Sequence, residues 1–366
     1  MNPFLENQLN SGQHNLGGSV ESLVHSIPEP KGSRFRDTKA PVFVLGCPRS
    51  GTTVLYHMLL SAGGFAVYRA ESNVFNLLVP RFGDLRSEKT RRRLLDYWLR
   101  SKLFHVSGLN ASDIEQRIMT ECRSGGDFLR ITMEETARKQ GVDRWADCTP
   151  DHLLNIPEIR DQLPGAFVIH IIRDGRDVAL SYVQQRWAHP LPWDRHERLA
   201  VAGMYWEWVV RKGREYGQTL GPNYYEVRFE DLVTNHREVL NKLGEFIGHD
   251  LDYDKIQQAG IGAVSEPNSS FFGESGQQAF QPAGRWKRKM SAEEVGGFEA
   301  VVGDFLRELG YEVTADPKTK SSLRALRLRS TYMPLFAAKQ WLKSKTPLGR
   351  LVDIRRMEIA DSPNSQ

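Results

Sequence analysis

The sequence predicts an α/β fold, a parallel sheet covered by helices on both faces. Three strand-then-helix units carry that expectation. Val42 to Leu45 and Ala166 to Ile172 are short, predominantly apolar runs, and Tyr224 to Phe229 is a short stretch in which Tyr224, Tyr225, Val227 and Phe229 stand with Glu226 and Arg228. Each leads through a polar loop into apolar positions at helical spacing. Strands that alternate with helices pair in parallel. In such sheets ligands collect beyond the carboxyl ends of the strands, where all three loops fall. At 366 residues, 40% hydrophobic and 26% charged, the chain has the composition of a globular protein of one large or two ordinary domains.

In the first unit, Val54, Leu55, Met58 and Leu59 repeat at helical spacing, so residues 46–53 join a strand to a helix N-terminus. Backbone N–H groups converge at such a junction and the helix dipole adds positive potential, a setting for a tetrahedral anion. The Walker A pattern of ATPases, Gly-x4-Gly-Lys-Ser/Thr, sets a lysine on the β/γ-phosphates. Here Thr52 stands in the lysine's place, and the cation is Arg49, inside the loop. The loop suits a 5′-phosphate better than γ-phosphate chemistry.

The second unit repeats the theme. Arg173 ends a strand, and Ser181 lies two turns into the helix expected from Val178 to about Arg186. Both can face one phosphate, the arginine through bidentate contacts. Taken alone, Arg173 and Asp174 read equally well as a surface ion pair. In the third unit Glu230-Asp231-Leu232 precedes a helical stretch from Glu238 to Ile247. Two anion-reading loops at neighbouring strand ends imply a ligand with two separated anionic groups.

Between the units, Ser112-Asp-Ile-Glu115 is a capping-box pattern opening a helix through about Glu121. Leu94, Leu95, Trp98 and Leu99 form an apolar stripe that reads as packing. Segments 80–140 and 187–222 are expected to rise over the sheet as the wall of an acceptor site. Residues 1–37 read as a flexible polar arm without a signal-peptide pattern, 38–315 as the α/β domain, and 316–366 as a basic helical tail. Between Lys318 and Arg356 eleven Lys/Arg face one acid, Asp353, so a chain of net charge +4 is acidic elsewhere. That tail fits either weak contact with an anionic membrane surface or packing back on the domain, with Pro334 and Pro347 expected to interrupt its helix. No apolar stretch approaches the ~18–20 residues of a membrane span. Cys47, Cys122 and Cys148 lack metal-ligand spacing and fit a reducing compartment. The Asn110 and Asn268 triplets match glycosylation sequons, with no secretion signal to support them.

Four stretches in order carry a family resemblance. GCPRSGTTVL at 46–55 resembles the 5′-phosphosulfate loop of sulfotransferases, and IIRDGRDVALSY at 171–182 their 3′-phosphate motif. YYEVRFEDLV at 224–233 is similar to their strand-and-turn motif near the adenine, and PAGRWKRKM at 282–290 to their C-terminal Gly-Arg-Trp region. The likeness covers roughly residues 40–312, towards the branch of carbohydrate, protein-tyrosine and many bacterial sulfotransferases. It implies a P-loop-kinase-like fold, 3′-phosphoadenosine 5′-phosphosulfate as donor, and no metal. It also implies that Arg49, Ser50, Gly51, Thr52 and Thr53 hold the 5′-phosphosulfate and that Arg173 and Ser181 hold the 3′-phosphate. Phe229 is placed near the adenine, and Arg285, Trp286 and Lys287 close over the nucleotide.

For the base, the resemblance points to Glu71, with His152 in Cys148-Thr-Pro-Asp-His152 as the competitor. A structural role at a helix start is the alternative for His152. One departure stands out: Asp147-Cys148-Thr149-Pro150 replaces a Glu-Lys-Thr-Pro motif, which removes a cation. Arg49, and with it Lys287, must then stabilise the bridging oxygen. The expected function is sulfuryl transfer to an acceptor hydroxyl on a sugar, lipid, polyketide or small alcohol, in a cytoplasmic, bacterial setting and without nucleic-acid binding. The rivals are an ATP-dependent kinase and a catalytically weak nucleotide-binding adaptor at the membrane.

Overall fold

The computed structural model describes residues 39–259, 282–314 and 323–358. The expected N-terminal arm, the domain boundary near residue 315 and the Asn268 triplet lie outside them. Four strands make one parallel sheet among the described residues: β1 (Val42–Leu45), β2 (Ala146–Asp147), β3 (Phe167–Ile172) and β4 (Tyr224–Arg228), in the order β2-β1-β3-β4. Val42 pairs with Phe167 on one side and Ala146 on the other, and Val168 pairs with Tyr224.

Side chains alternate across the sheet, as strand geometry requires. Phe43, Leu45, Val168 and Ile172 enter one apolar core, and Val42, Val44, Ile169 and Ile171 the other. The first core is roofed by helices Gly175–Gln184, Arg198–Gly217 and Ala292–Glu308. The second is roofed by Thr52–Ser61 and His236–Ile247. Both faces are therefore covered, which explains why β1 is apolar throughout and β3 is apolar at every position but the buried His170, rather than alternating with polar residues.

Three local differences from the sequence expectation have physical causes. The helix expected to open at Ser112 starts earlier, at Ala111, because the carboxylate of Asp113 accepts the Asn110 backbone N–H at 2.9 Å. The helix after β3 begins at Gly175 rather than Val178, because the Asp174 side chain caps the Arg176 N–H. The tail helix runs unbroken from Leu323 to Lys345 through Pro334, and only Pro347 lies beyond its end. A mid-helix proline costs about 3 kcal/mol. Docking on both sides of Pro334 offsets that cost: Arg327 and Tyr332 bond Asp194 at 2.8 and 3.0 Å, and Phe336 packs edge-on against Tyr205. None of the helices among the described residues is long and apolar enough to cross a membrane.

Candidate functional site

All four strands deliver their carboxyl ends to one edge of the sheet, and the loop after β1 lies at its centre. Gly46 is required there, since a Cβ would come within 2.6 Å of the Ile171 carbonyl oxygen. Gly51 has φ +98°, and a side chain would collide with the Phe229 ring at 2.3 Å. Arg49 holds a left-handed backbone (φ 75°) without being glycine, a strain of the kind found at ligand sites. Ser50 is fully buried, and its Oγ has no hydrogen-bond partner among the described residues. Thr52 turns its hydroxyl to the Cys148 thiol, while Thr53 is exposed at the helix start.

Three guanidinium groups converge on this loop. Nε of Arg49 donates to Ser181 Oγ at 2.9 Å, and Nη1 of Arg173 donates to the Arg49 carbonyl at 3.2 Å. Burial, and then the charges of Arg173 and Arg285, lower the Arg49 pKa from its ordinary value. The Arg173 guanidinium lies over the Phe229 ring, 4.5 Å from its centroid, and its buried Nε finds no partner among the described residues. A cluster of cations that repel one another, beside a buried hydroxyl with no partner among the described residues, is a site suited to a polyanion.

The segment Gly284–Lys289 reaches the same place through Asp177. Its two carboxylate oxygens accept the N–H groups of Gly284 and Trp286, both at 2.8 Å, and Arg173 Nη2 lies 3.4 Å away. Burial pushes the Asp177 carboxyl above its usual range, against the pull of Arg173 and the two amides. Arg285 is buried beside Arg49, and Lys287 is exposed. Trp286 packs its ring on the buried Arg176, 3.6 Å from guanidinium to centroid, and Arg176 pairs with Asp174 and Glu299 at 2.7 Å each. Its ring thus faces the domain.

Glu71 sits on a turn pinned from below. The Asn73 N–H donates to Thr149 Oγ1 at 3.3 Å, Ser72 Oγ meets the same hydroxyl at 3.3 Å, and Asn73 Nδ2 holds the Glu71 carbonyl at 2.9 Å. Glu71 is exposed, and its charge acts on both Arg49 and Cys148. His152, the rival base, is fully buried. Its Nδ1 bonds Asp147 at 3.0 Å and its Nε2 accepts the Phe75 N–H at 3.1 Å. With both nitrogens engaged, His152 is a buried tie that braces the chain just after Glu71. The reading of it as a base is corrected on that ground.

Beside Glu71 opens a cavity of about 480 Å³ lined by Pro48, Glu71, Asp151, Tyr182, Trp187, Tyr205, Trp208 and Phe336, with Lys339 and Lys343. Pro48 belongs to the anion loop, so the two compartments adjoin. The wall expected from 187–222 is present in part, from Trp187 to Trp208. Segment 80–140 lines none of this cavity; its Leu94, Leu95, Trp98, Ile114 and Ile118 are spent on the first core. The tail helix supplies that wall instead. Sequence reasoning passed over Asp177 and the cavity aromatics. Asp177 was visible four residues after Arg173, but its amide partners lie more than a hundred residues further on.

An anion loop between strand and helix, a cluster of arginines and an adjoining cavity fit a group-transfer enzyme of the α/β class. The profile of the sulfotransferase family matches residues 41–253, more than half of the chain, and the protein belongs to that family. No curated protein matches. Among solved structures it is similar to the sulfotransferase domain of the Synechococcus PCC 7002 olefin synthase (19% identity, TM-score 0.47, covering 81% of this chain and 96% of that one). A sulfotransferase domain from the curacin biosynthetic pathway is similar at 15% identity and TM-score 0.48, over 75% of this chain and 99% of that one. The Mycobacterium avium sulfotransferase STF9 is similar at 15% and 0.41, over 76% and 79%. At these values the likeness assigns no substrate.

Proposed function

We propose that the protein transfers the sulfuryl group of 3′-phosphoadenosine 5′-phosphosulfate to the hydroxyl of an acceptor bound in the aromatic cavity. The observation that carries the reading is the position of Glu71, which lines the cavity and acts on the charge of Arg49 in the anion loop. The residues present fit the donor. Ser50 Oγ and Arg173 Nε are buried without partners among the described residues, and Arg49, Arg173 and Arg285 concentrate positive charge around them. In this reading Arg49, Ser50, Gly51, Thr52 and Thr53 hold the 5′ end, and Arg173 with Ser181 the 3′-phosphate. Phe229 lies beside the base, while Arg285 and Lys287 approach from the C-terminal segment.

Glu71 takes the acceptor proton as the acceptor oxygen bonds to sulfur and the bond from sulfur to the 5′-phosphate oxygen breaks. Arg49 and the loop N–H groups stabilise the charge that gathers on that oxygen, and adenosine 3′,5′-bisphosphate leaves. The test is a thermal shift with adenosine 3′,5′-bisphosphate against 5′-AMP and Mg-ATP. Ligand at ~100 times its Kd stabilises a fold by ~2.7 kcal/mol. Stabilisation by the bisphosphate supports the reading, and a response to Mg-ATP alone would replace it with kinase chemistry.

A further inference from the structure

The tail helix Leu323–Lys345 lies beyond the residues that the family profile matches, yet it forms one side of the cavity that holds Glu71. Tyr332, Leu335, Phe336, Lys339, Gln340 and Lys343 all line it. They recur at helical spacing as a single stripe, about 16 Å long at 1.5 Å per residue. Most of the remaining cations on this helix serve to dock it. Arg324 pairs with Glu197, Arg327 with Asp194 at 2.8 Å, Arg329 with Glu207 at 2.6 Å and Lys345 with Glu158 at 3.0 Å. Lys339 has no ion pair or hydrogen bond among the described residues and stands exposed on the cavity stripe. Along the stripe Tyr332 is 1% exposed while Leu335 and Lys339 are exposed, so this wall of the cavity reaches from the interior to the surface. Lys343 follows one turn later, half-buried.

Resting on the reading of Glu71 as base, we propose that the tail helix selects the acceptor. The acceptor is an amphipathic alcohol whose apolar or aromatic body fills the cavity and whose carboxylate, remote from the reacting hydroxyl, is met by Lys339 and Lys343. Charge complementarity carries the argument. One cavity is lined by the carboxylates of Glu71 and Asp151, by the tail-helix lysines Lys339 and Lys343, and by the aromatic rings of Tyr182, Tyr205, Trp208 and Phe336. A neutral alcohol leaves the exposed Lys339 in water, whereas a hydroxy acid of matching length satisfies both ends.

The experiment uses two probe pairs on the full chain: 12-hydroxydodecanoate with its methyl ester, and 4′-hydroxybiphenyl-4-carboxylate with its methyl ester. Sulfuryl transfer and calorimetric binding in the presence of adenosine 3′,5′-bisphosphate are measured for the wild type and for Lys339→Gln, Lys343→Gln and the double variant. The expected result is an acid preference of roughly tenfold or more over the ester in at least one pair. That ratio falls towards unity in the double variant, through KM and Kd rather than kcat. Equal affinity for acid and ester in both pairs, or a preference that survives the double substitution, overturns the proposal even if no probe turns over. Absence of both transfer and bisphosphate binding would instead remove the underlying functional reading. Melting temperatures guard against a folding artefact, and the exposed Lys339 is the variant least able to cause one.

Discussion

Nε of Arg49 donates to the hydroxyl of Ser181 at 2.9 Å, joining side chains 132 residues apart. The loop after β1 and the helix after β3 therefore form one compartment, and Arg173 closes it through the Arg49 carbonyl. A ligand anionic at both ends must exchange the Arg49–Ser181 bond for its own contacts. Arg173→Ala is expected to raise the Kd of adenosine 3′,5′-bisphosphate roughly 10–150-fold, the worth of a hydrogen bond to a charged group. 5′-AMP, which lacks the 3′-phosphate, is expected to lose far less. Calorimetry with both ligands checks this, and equal losses would remove the assignment of Arg173 to the 3′ end.

The carboxylate of Glu71 and the imidazole of His152 are separated by burial. Glu71→Gln is expected to lower kcat by ~10²–10⁴ with little change in bisphosphate affinity. His152→Gln is expected to act first on stability, by about 1–3 kcal/mol, because it disturbs the bonds to Asp147 and Phe75. Steady-state kinetics and urea unfolding on both variants separate the roles. A Glu71→Gln enzyme at wild-type kcat would exclude it as the base.

Asp177 anchors the segment Gly284–Lys289 through two backbone N–H groups. An amide at this position has one acceptor oxygen and opposes an NH₂ group to one of two backbone donors. Asp177→Asn is thus expected to speed hydrogen exchange at the Gly284 and Trp286 amides and to weaken bisphosphate binding. Exchange unchanged at those two amides would show that the carboxylate does not hold the segment.

Much of this architecture was legible in the chain. Val42–Leu45 is the strand expected, β3 and β4 differ from expectation by one residue at one end, and the anion loop lies where its glycines and its flanking apolar runs put it. Strand β2 was not legible, because two residues carry no periodicity and its place is set by pairing with β1. The cavity was only half legible. Its aromatics come from Tyr182, from the helix Arg198–Gly217 and from the tail, and nothing local in these segments reports that they share one space. His152 misled for the converse reason. Its neighbours in sequence matched a motif, while its burial depends on Phe75 and Asp147.

His170 gives the fold a pH dependence. It is fully buried in β3, with Nδ1 2.6 Å from the Tyr224 hydroxyl, and burial, then the charge of Arg214, depress its pKa from 6.5 to about 3. The unfolded chain takes up a proton near pH 6.5 that the folded one refuses until about pH 3. The stability this group contributes is therefore complete above pH 6.5 and is lost as pH falls towards 3, with a slope of up to about 1.4 kcal/mol per pH unit. Burial lowers His57 and His249 in the same direction, so the comparison must be between proteins. Urea unfolding at several pH values between 7 and 4 is expected to give His170→Gln a flatter dependence than the wild type. Equal slopes would mean that His170 is protonated in the folded state.

Cys148 occupies the place where the resemblance leads one to expect a lysine, next to Glu71 and Thr52. Burial raises its thiol far above the ordinary range, and the charges of Asp147 and Glu71 raise it further. A thiol so held supplies almost no thiolate at neutral pH, and in-line transfer needs none. Cys148→Ala is accordingly expected to retain turnover within a few-fold, and the folded wild type to resist iodoacetamide at this residue. Cys148→Lys tests the electrostatics from the other side. An ammonium beside Glu71 favours its ionised form, so the acid limb of the kcat/KM profile is expected to move to lower pH. An unmoved limb in a folded Cys148→Lys protein would mean that the titrating base lies elsewhere, and Asp151 in the same cavity would then be the carboxylate to replace.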